Sequence, residues 1–191
     1  LRKYVSASGK VNYKGFKTDK AALEAYLTAL QNNPIQNNWT KNQKIAYWIN
    51  AYNAFTIKLI VDNYPIGSIT ELYGGKAWDP KWIKLGDKTY TPNNIENDIL
   101  RPKYKDARVH FAVNCAAKSC PPLLNRAWNK DKVNSFYEKQ AKAFINNTQF
   151  NKISPDRWSC PRFSNGMPQI LVILSLTSTN ILRLKSIQEL K

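Results

Sequence analysis

Apolar residues recur at helical spacing in four stretches of the chain. This periodicity predicts helices over residues 19–32, 41–63, 93–101 and 130–147. The second stretch has apolar side chains around most of its circumference, so we expect a largely buried helix that ends before Pro65. Asp19 stands where its side chain can cap the first helix. Helices therefore account for most of the predicted structure.

Strand patterns are confined to the middle of the chain. Residues 82–91 alternate between apolar and polar positions on either side of Gly86-Asp87, which predicts a β-hairpin. Residues 108–114 also alternate and are rich in residues that favour strands. The predicted fold is therefore a helix-rich α+β domain with a small antiparallel or mixed sheet around residues 82–114.

Two asparagines, Asn50 and Asn53, share one face of the long apolar helix. A buried amide group has to be hydrogen-bonded. Either the two side chains tie neighbouring loops to the helix, or they line a polar cleft. In the second case the candidate substrate-binding residues are Asn50, Asn53, Asn114 and Trp48.

Composition narrows the class of protein. The chain has 191 residues, of which 43 % are hydrophobic and 12 % aromatic, and this fits one globular domain. Its formal net charge of +16 favours anionic partners such as an acidic glycan, nucleic acid or anionic lipid, unless the charge serves solubility alone. The basic residues are spread along the chain without a long run, which argues against a nucleic-acid-binding arm. The longest apolar run, residues 170–174, is too short to span a bilayer.

The stretch RVHFAVNCAAKSCPPL, residues 108–123, contains the single histidine of the chain, His110, and two of its three cysteines, Cys115 and Cys120. On a regular strand His110 and Cys115 would point to opposite faces. Cys120 follows a turn and precedes two prolines, so we expect it at a helix N-terminus, where the helix dipole would stabilise a thiolate. The stretch therefore predicts a catalytic pair of Cys120, or Cys115, with His110 as the general base.

Other interpretations of this stretch remain open. In a catalytic centre Glu96, Asn50, Asn53 or Asn114 would orient the imidazole. Alternatively, His110 and the cysteines are structural residues, or Cys115 and Cys120 form a disulfide bond, as an oxidising compartment allows. One histidine and two neighbouring cysteines supply only three ligands, so we expect no metal site, and no cofactor is predicted.

Three motifs, WINAYNAFTI, IENDILR and VHFAVNCAAKSCPPL, occur in this order along the chain. Together they resemble the bacterial branch of the domain of unknown function 547 family, over roughly residues 1–157. The family's helix motif usually reads Ile-Glu-His, whereas this chain has Asn97 at the third position. The resemblance marks as one set the residues Asn50, Asn53, Glu96, His110, Cys115 and Cys120.

The same resemblance implies a bacterial envelope protein that is periplasmic, outer-membrane-anchored or secreted. It also implies a lipid anchor on the unprocessed chain. The chain begins at Leu1 and not at Met, which agrees with such processing. These points are expectations about location and carry no reaction with them.

Residues 158–191 break the pattern, because they have no amphipathic period and do not resemble the family. A back-translation of residues 158–173 with chosen codons, read from its third base, gives ELSKIFKWYAADFGDI, which has apolar residues at helical spacing. We interpret this as a frameshift near residue 157 that replaced the native C-terminus. The predicted domain is then residues 1–157, followed by a non-native tail.

Two functions follow as alternatives. The first is a thiol hydrolase or transferase acting on an amide or ester, with Cys120 or Cys115 as nucleophile, His110 as base and Glu96 or an asparagine as its orienting group. The second is a non-catalytic module that binds an anionic glycan or protein partner of the envelope. A disulfide bond and a basic, aromatic groove elsewhere would favour the second.

Overall fold

The computed structural model describes residues 1–117 and 120–147, together with the backbone of four short strands beyond them. Contacts divide the chain into two units, Leu1–Gln140 and Ala141–Lys191. The helices are α1 (Tyr13–Thr18), α2 (Ala21–Asn32), α3 (Lys41–Asp62), α4 (Arg101–Tyr104) and α5 (Val133–Ile145). Shorter helical turns cover Ile69–Gly75, Asn94–Leu100 and Ala107–Phe111.

Helix α3 is the centre of the first unit, as its apolar pattern predicts. A capping box begins it: the backbone N–H of Gln43 donates to Thr40 Oγ1, and the backbone N–H of Thr40 donates to Gln43 Oε1. Ile49 and Ala51 have no exposed surface, and Tyr52 is 1 % exposed. Helix α2, the hairpin and the Asn94–Leu100 turn all contact this core, so α3 fixes the position of the groups around it.

The predicted hairpin is present as the antiparallel pair β1 (Ile83–Leu85) and β2 (Lys88–Tyr90), with Ile83 opposite Tyr90. Gly86 has a φ of +60° in the turn, and a Cβ there would lie 2.9 Å from Pro34 Cγ. Glycine is needed for both reasons. With these two strands and the helices above, the predicted helix-rich α+β fold is confirmed.

The strand predicted over residues 108–114 is wrong. The segment begins as a 3₁₀ turn, Ala107–Phe111, whose N-cap is Asp106: its carboxylate accepts the Arg108 N–H at 2.9 Å. Val109 and Phe111 are both buried, so hydrophobic burial holds the segment without a partner strand. The alternation of faces, which separated His110 from Cys115, therefore does not apply.

The predicted capping role of Asp19 is also wrong. Lys20 is the N-cap of α2 and makes no side-chain capping bond. Asp19 instead accepts hydrogen bonds from Lys3 Nζ at 2.6 Å and the Tyr4 hydroxyl at 2.9 Å. Asp19 thus fixes the N-terminal segment and not the helix that follows it.

The N-terminal segment, residues 1–12, packs against the rest of the first unit. An isolated antiparallel bridge pairs Val5 with Val11. Between them Gly9 has a φ of +83°, and a Cβ on it would lie 2.5 Å from Pro122 Cβ. A side chain at this position would therefore push the segment away from Pro122.

The second unit contains two strand pairs, each described by its backbone. β3 (Lys152–Ser154) pairs antiparallel with β4 (Arg157–Ser159), and β5 (Ser175–Leu176) pairs with β6 (Leu182–Arg183). Apart from these backbone segments, the interpreted frameshifted tail, residues 158–191, lies outside the described residues. The domain boundary at residue 157 and the origin of the tail remain predictions.

Candidate functional site

The two asparagines of α3 bind the backbone of two loops. Asn50 Nδ2 donates to the Trp128 carbonyl oxygen and Asn50 Oδ1 accepts the Trp128 N–H, both at 2.9 Å. Asn53 Nδ2 donates to the Ala112 carbonyl oxygen at 2.9 Å, and Asn53 Oδ1 accepts the Asn114 N–H at 2.8 Å. Each side-chain amide thus supplies hydrogen-bond partners to a backbone N–H and a backbone carbonyl group of a loop. The interpretation that both residues tie loops to the helix is therefore confirmed.

The same two side chains also line a cavity of about 410 Å³. Its walls come from the N-terminal segment, α1, α2, α3 and the stretch Leu123–Trp128. The lining is mainly apolar, with Asn50 and Asn53 as polar groups in one wall. Their predicted role in substrate binding stays a prediction, now attached to a definite cavity.

Cys115 and Cys120 form a disulfide bond, with their Cα atoms 6.1 Å apart. Of the alternatives open for this stretch, the structure contains the bridge. Asn114 supports the loop, because its Oδ1 accepts the Ala116 N–H at 2.9 Å and its Nδ2 donates to the Pro121 carbonyl oxygen at 2.7 Å. We call this segment, residues 112–122, the disulfide loop.

The expected helix N-terminus at Cys120 is absent. Residues 121–124 are not helical, and the next helix, α5, begins at Val133. The prolines disfavour helical dihedral angles in the residues that precede them. The Pro122 carbonyl oxygen is bound instead by Gln140 Nε2, at 2.5 Å. No helix dipole is therefore available to stabilise a Cys120 thiolate.

Glu96 lies in the Asn94–Leu100 turn, which has π-helical hydrogen bonding. The Arg101 N–H donates to the Glu96 carbonyl oxygen, five residues back, and Arg101 Nη2 donates to Glu96 Oε1 at 2.5 Å. In an α-helix, residues five apart point in different directions, and the wider π turn brings these two together. Only 15 % of the Glu96 side chain is exposed, so the ion pair is largely shielded from water.

The charges of this ion pair affect the pKa values of His110 and Tyr52. Burial lowers the pKa of His110, while the Glu96 carboxylate raises it and the Arg101 guanidinium lowers it further. Burial raises the pKa of Tyr52 well above its ordinary value, and Glu96 adds to that rise. Burial thus favours the neutral imidazole of His110, which is the form that a general base requires. The predicted roles of His110 and Glu96 remain predictions.

Trp48, the last of the predicted substrate-binding residues, lies in the core and is 8 % exposed. Its ring meets that of Tyr90 edge to face, with centroids 5.2 Å apart. Such pairs stabilise the contact between α3 and the hairpin. Its role in binding a substrate also remains a prediction.

A group of basic residues that the sequence did not single out lies on the N-terminal segment and the start of α1. A shallow depression of about 510 Å³ is lined by several residues from the start of the chain, including Arg2, Lys3, Lys10 and Lys14. The signal was present in the sequence, because residues 1–20 contain six basic residues and one acidic residue, Asp19. The basic residues are not consecutive in the sequence, and a β-bridge and a helix bring them together in the fold.

Two further findings on the described residues concern metal binding and membrane crossing. Within residues 1–117 and 120–147, no three His, Cys, Asp or Glu side chains are grouped so that they could hold a metal ion. The helices of that part of the chain also include none with both the length and the hydrophobicity that crossing a membrane requires.

These observations define a class: a helix-rich α+β domain in which one asparagine of a central helix holds a disulfide-closed loop and a second asparagine holds the backbone of Trp128. The family model described as "Protein of unknown function, DUF547" matches residues 36–145, which contain all three motifs noted above. The chain belongs to the DUF547 family. No curated protein and no solved structure matches it significantly.

Proposed function

We propose that this domain is a non-catalytic binding module for an anionic partner of the cell envelope, a glycan or an acidic protein segment. The observation that carries the proposal is the basic depression on the N-terminal segment. Lys3 is paired with Asp19, but no acidic partner for Arg2, Lys10 or Lys14 lies among the described residues. Cations without partners on one face raise the local concentration of anions and attract them.

The disulfide bond supports this function over thiol chemistry. With both sulfur atoms bonded to each other, neither Cys115 nor Cys120 is a free nucleophile. The Asn114 side chain is likewise engaged with the backbone of the loop. The two cysteines and Asn114 thus serve the structure of the loop, while Arg2, Lys10 and Lys14 of the basic depression have no acidic partner among the described residues.

Calorimetric titration with a charged glycan and a neutral glycan tests the proposal. Oligogalacturonate, a polyanionic glycan, should bind, and neutral dextran of equal length should not. Raising the salt concentration should weaken the binding, because exposed charges are screened. A peptide rich in Asp and Glu, compared with its Asn and Gln counterpart, distinguishes a protein partner from a glycan.

Two double variants locate the binding surface. Lys10→Glu with Lys14→Glu should abolish binding. Lys84→Glu with Lys88→Glu changes the net charge equally but lies on the exposed hairpin, so it should leave most of the affinity. Equal losses in both variants would show a dependence on net charge alone and would contradict the assigned surface.

A second candidate, the thiol hydrolase or transferase, is favoured by one observation: His110 is half-buried, and burial lowers its pKa while the charge of Glu96 raises it. It requires reduction of the bridge by a dithiol, which is itself oxidised. The Cys120 thiol would give its proton to His110 and attack the carbonyl carbon of an ester or amide. The C–O or C–N bond would break, His110 would protonate the leaving group, and water would hydrolyse the thioester.

Alkylation by iodoacetamide, read for each cysteine by mass spectrometry, tests this candidate. After reduction, one thiol of a Cys–His pair should react fast at neutral pH, and His110→Gln should slow it. Slow and equal labelling of both cysteines in both proteins would exclude the thiol enzyme.

A further inference from the structure

The apolar cavity and the basic depression share a wall. Arg2, Lys3 and Tyr4 line both of them. The ring of Tyr4 packs against Phe16, with centroids 4.9 Å apart, and its hydroxyl group donates to Asp19. A ligand at this point would therefore meet an apolar space on one side and cations on the other.

The deeper part of the cavity suits a hydrocarbon chain. Its volume of about 410 Å³ falls in the range of small-molecule sites, and such sites are mostly apolar with few polar groups. The two asparagines in its wall are already bound to backbone groups. Six apolar side chains form much of the surface: Phe16, Leu23, Ala54, Ile57, Leu123 and Leu124.

The charges around the cavity are cationic on balance. Arg2 and Arg126 both line it, both are exposed, and no acidic partner for either lies within the described residues. The one carboxylate of the lining, Asp19, is paired with Lys3 at 2.6 Å. Beyond the shared wall, Lys10 and Lys14 extend the cationic surface. An anionic headgroup fits this surface, and a neutral one leaves the guanidinium groups without a partner.

We infer that the ligand of this site is a single-chain anionic amphiphile, with its acyl chain in the cavity and a phosphate headgroup over the basic depression. This inference rests on the anion-binding surface of the proposed function, and it names an anionic amphiphile as the partner in place of a glycan or an acidic protein segment. A glycan would leave the apolar cavity unused, and a neutral lipid would leave the cations unused. The amphiphile uses both.

Three probes test the two halves of the site separately. Lysophosphatidate carries one acyl chain and a phosphate monoester, monoacylglycerol of the same chain length carries the chain alone, and glycerol 3-phosphate carries the headgroup alone. Titrated as monomers below their micellar concentrations, lysophosphatidate should bind at least tenfold more tightly than either of the others.

Matched variants assign each half to its residues. Ala22 is exposed on α2 and lines the cavity, so Ala22→Trp should fill the cavity without disturbing the core and weaken lysophosphatidate binding at least tenfold. Ala25→Trp is the control, because Ala25 is an exposed residue of the same helix. Lys10→Glu with Lys14→Glu should weaken lysophosphatidate binding and spare the binding of monoacylglycerol.

The outcomes separate this inference from the proposed function. If glycerol 3-phosphate or oligogalacturonate binds as tightly as lysophosphatidate and Ala22→Trp has no effect, the acyl-chain site is wrong and the anion-binding module stands. If neither these anions nor lysophosphatidate binds, both are wrong. If monoacylglycerol binds as tightly as lysophosphatidate and the charge variants have no effect, the assigned headgroup is wrong.

Discussion

The disulfide loop and the N-terminal segment meet where Gly9 approaches Pro122, yet they use their polar groups in opposite ways. At the loop, the side-chain amides of Asn114 and of Asn53 in α3 are both bonded to backbone atoms. On the N-terminal segment, several cations have no acidic partner among the described residues. Polar groups that are satisfied internally hold a fold together, and polar groups left open to solvent are available to a ligand.

This contrast changes which residues are expected to matter for stability and which for binding. The residues that resemble the family motifs lie mainly in the satisfied region, in α3 and the disulfide loop. The cations lie outside the residues that match the family model, since that match begins at residue 36. Substitutions in the two regions should therefore differ in their effect on the free energy of unfolding.

The largest effect is expected for Asn53→Ala. The change leaves the Ala112 carbonyl oxygen and the Asn114 N–H without their partner. Since each buried polar group left unpaired costs about 1–3 kcal/mol, we expect a loss of about 3 kcal/mol in the free energy of unfolding. Urea denaturation measures it.

Asn97→Ala is the matched control for Asn53→Ala. Asn97 is exposed, and among the described residues its side-chain amide donates only to Asn93 Oδ1, at 3.3 Å. Its removal should change the free energy of unfolding by less than about 0.5 kcal/mol. If both variants lost the same free energy of unfolding, the hydrogen bonds between α3 and the disulfide loop would contribute no more to stability than an exposed side chain does.

The next effect is expected for removal of the bridge, Cys115→Ser with Cys120→Ser. The bridge joins residues five apart in sequence, and the chain-entropy relation gives about 2 kcal/mol for so short a loop. Wild-type protein treated with a dithiol reductant should lose the same amount, and the double variant should not respond to the reductant. Complete alkylation of both cysteines without reduction would contradict a stable bridge.

A smaller effect is expected from pH. Burial lowers the pKa of His110 below 6.5, so the folded state takes up its proton less readily than the unfolded state does. Stability is therefore fully present above about pH 6.5 and falls as the pH drops from there through the folded-state pKa. Because His110 is the single histidine of the chain, His110→Gln should flatten this part of a urea-denaturation series.

If the wild type and His110→Gln lost stability in parallel between pH 7 and pH 5, the pH dependence would come from carboxylates and not from His110.

Glu96 and Arg101 have opposite effects on the pKa of His110. Glu96→Gln removes the charge that favours protonated His110, so it should steepen the loss of stability on acidification.

Sequence periodicity was enough to find the long elements. Helix α3 and the hairpin around Gly86 follow from local pattern and turn chemistry, which depend on neighbouring residues. Residues 108–114 have a strand pattern, but the carboxylate of Asp106 caps a 3₁₀ turn there. Burial of Val109 and Phe111 is compatible with either structure, so the pattern could not distinguish them.

Parts of the candidate site were harder to predict, because they depend on contacts and turns that periodicity along the sequence does not reveal. The Asn50 and Asn53 ties were one of two alternatives, and choosing between them needed the positions of Trp128 and Ala112. The Glu96–Arg101 pair depends on a π turn, and the sequence pattern predicted an ordinary helix there. The basic depression depends on the Val5–Val11 bridge, which brings cations together across the segment.

The smallest effect on stability is expected for Lys10→Glu with Lys14→Glu. Both residues are exposed, so the free energy of unfolding should change by less than about 0.5 kcal/mol. Arg108→Gln is the contrasting variant, because the Arg108 guanidinium binds Asp106 and Glu138 and should cost about 1–2 kcal/mol when removed. If the lysine variant unfolded as readily as the Arg108 variant, the cations of the depression would be structural, and the division between a satisfied region and an open one would fail.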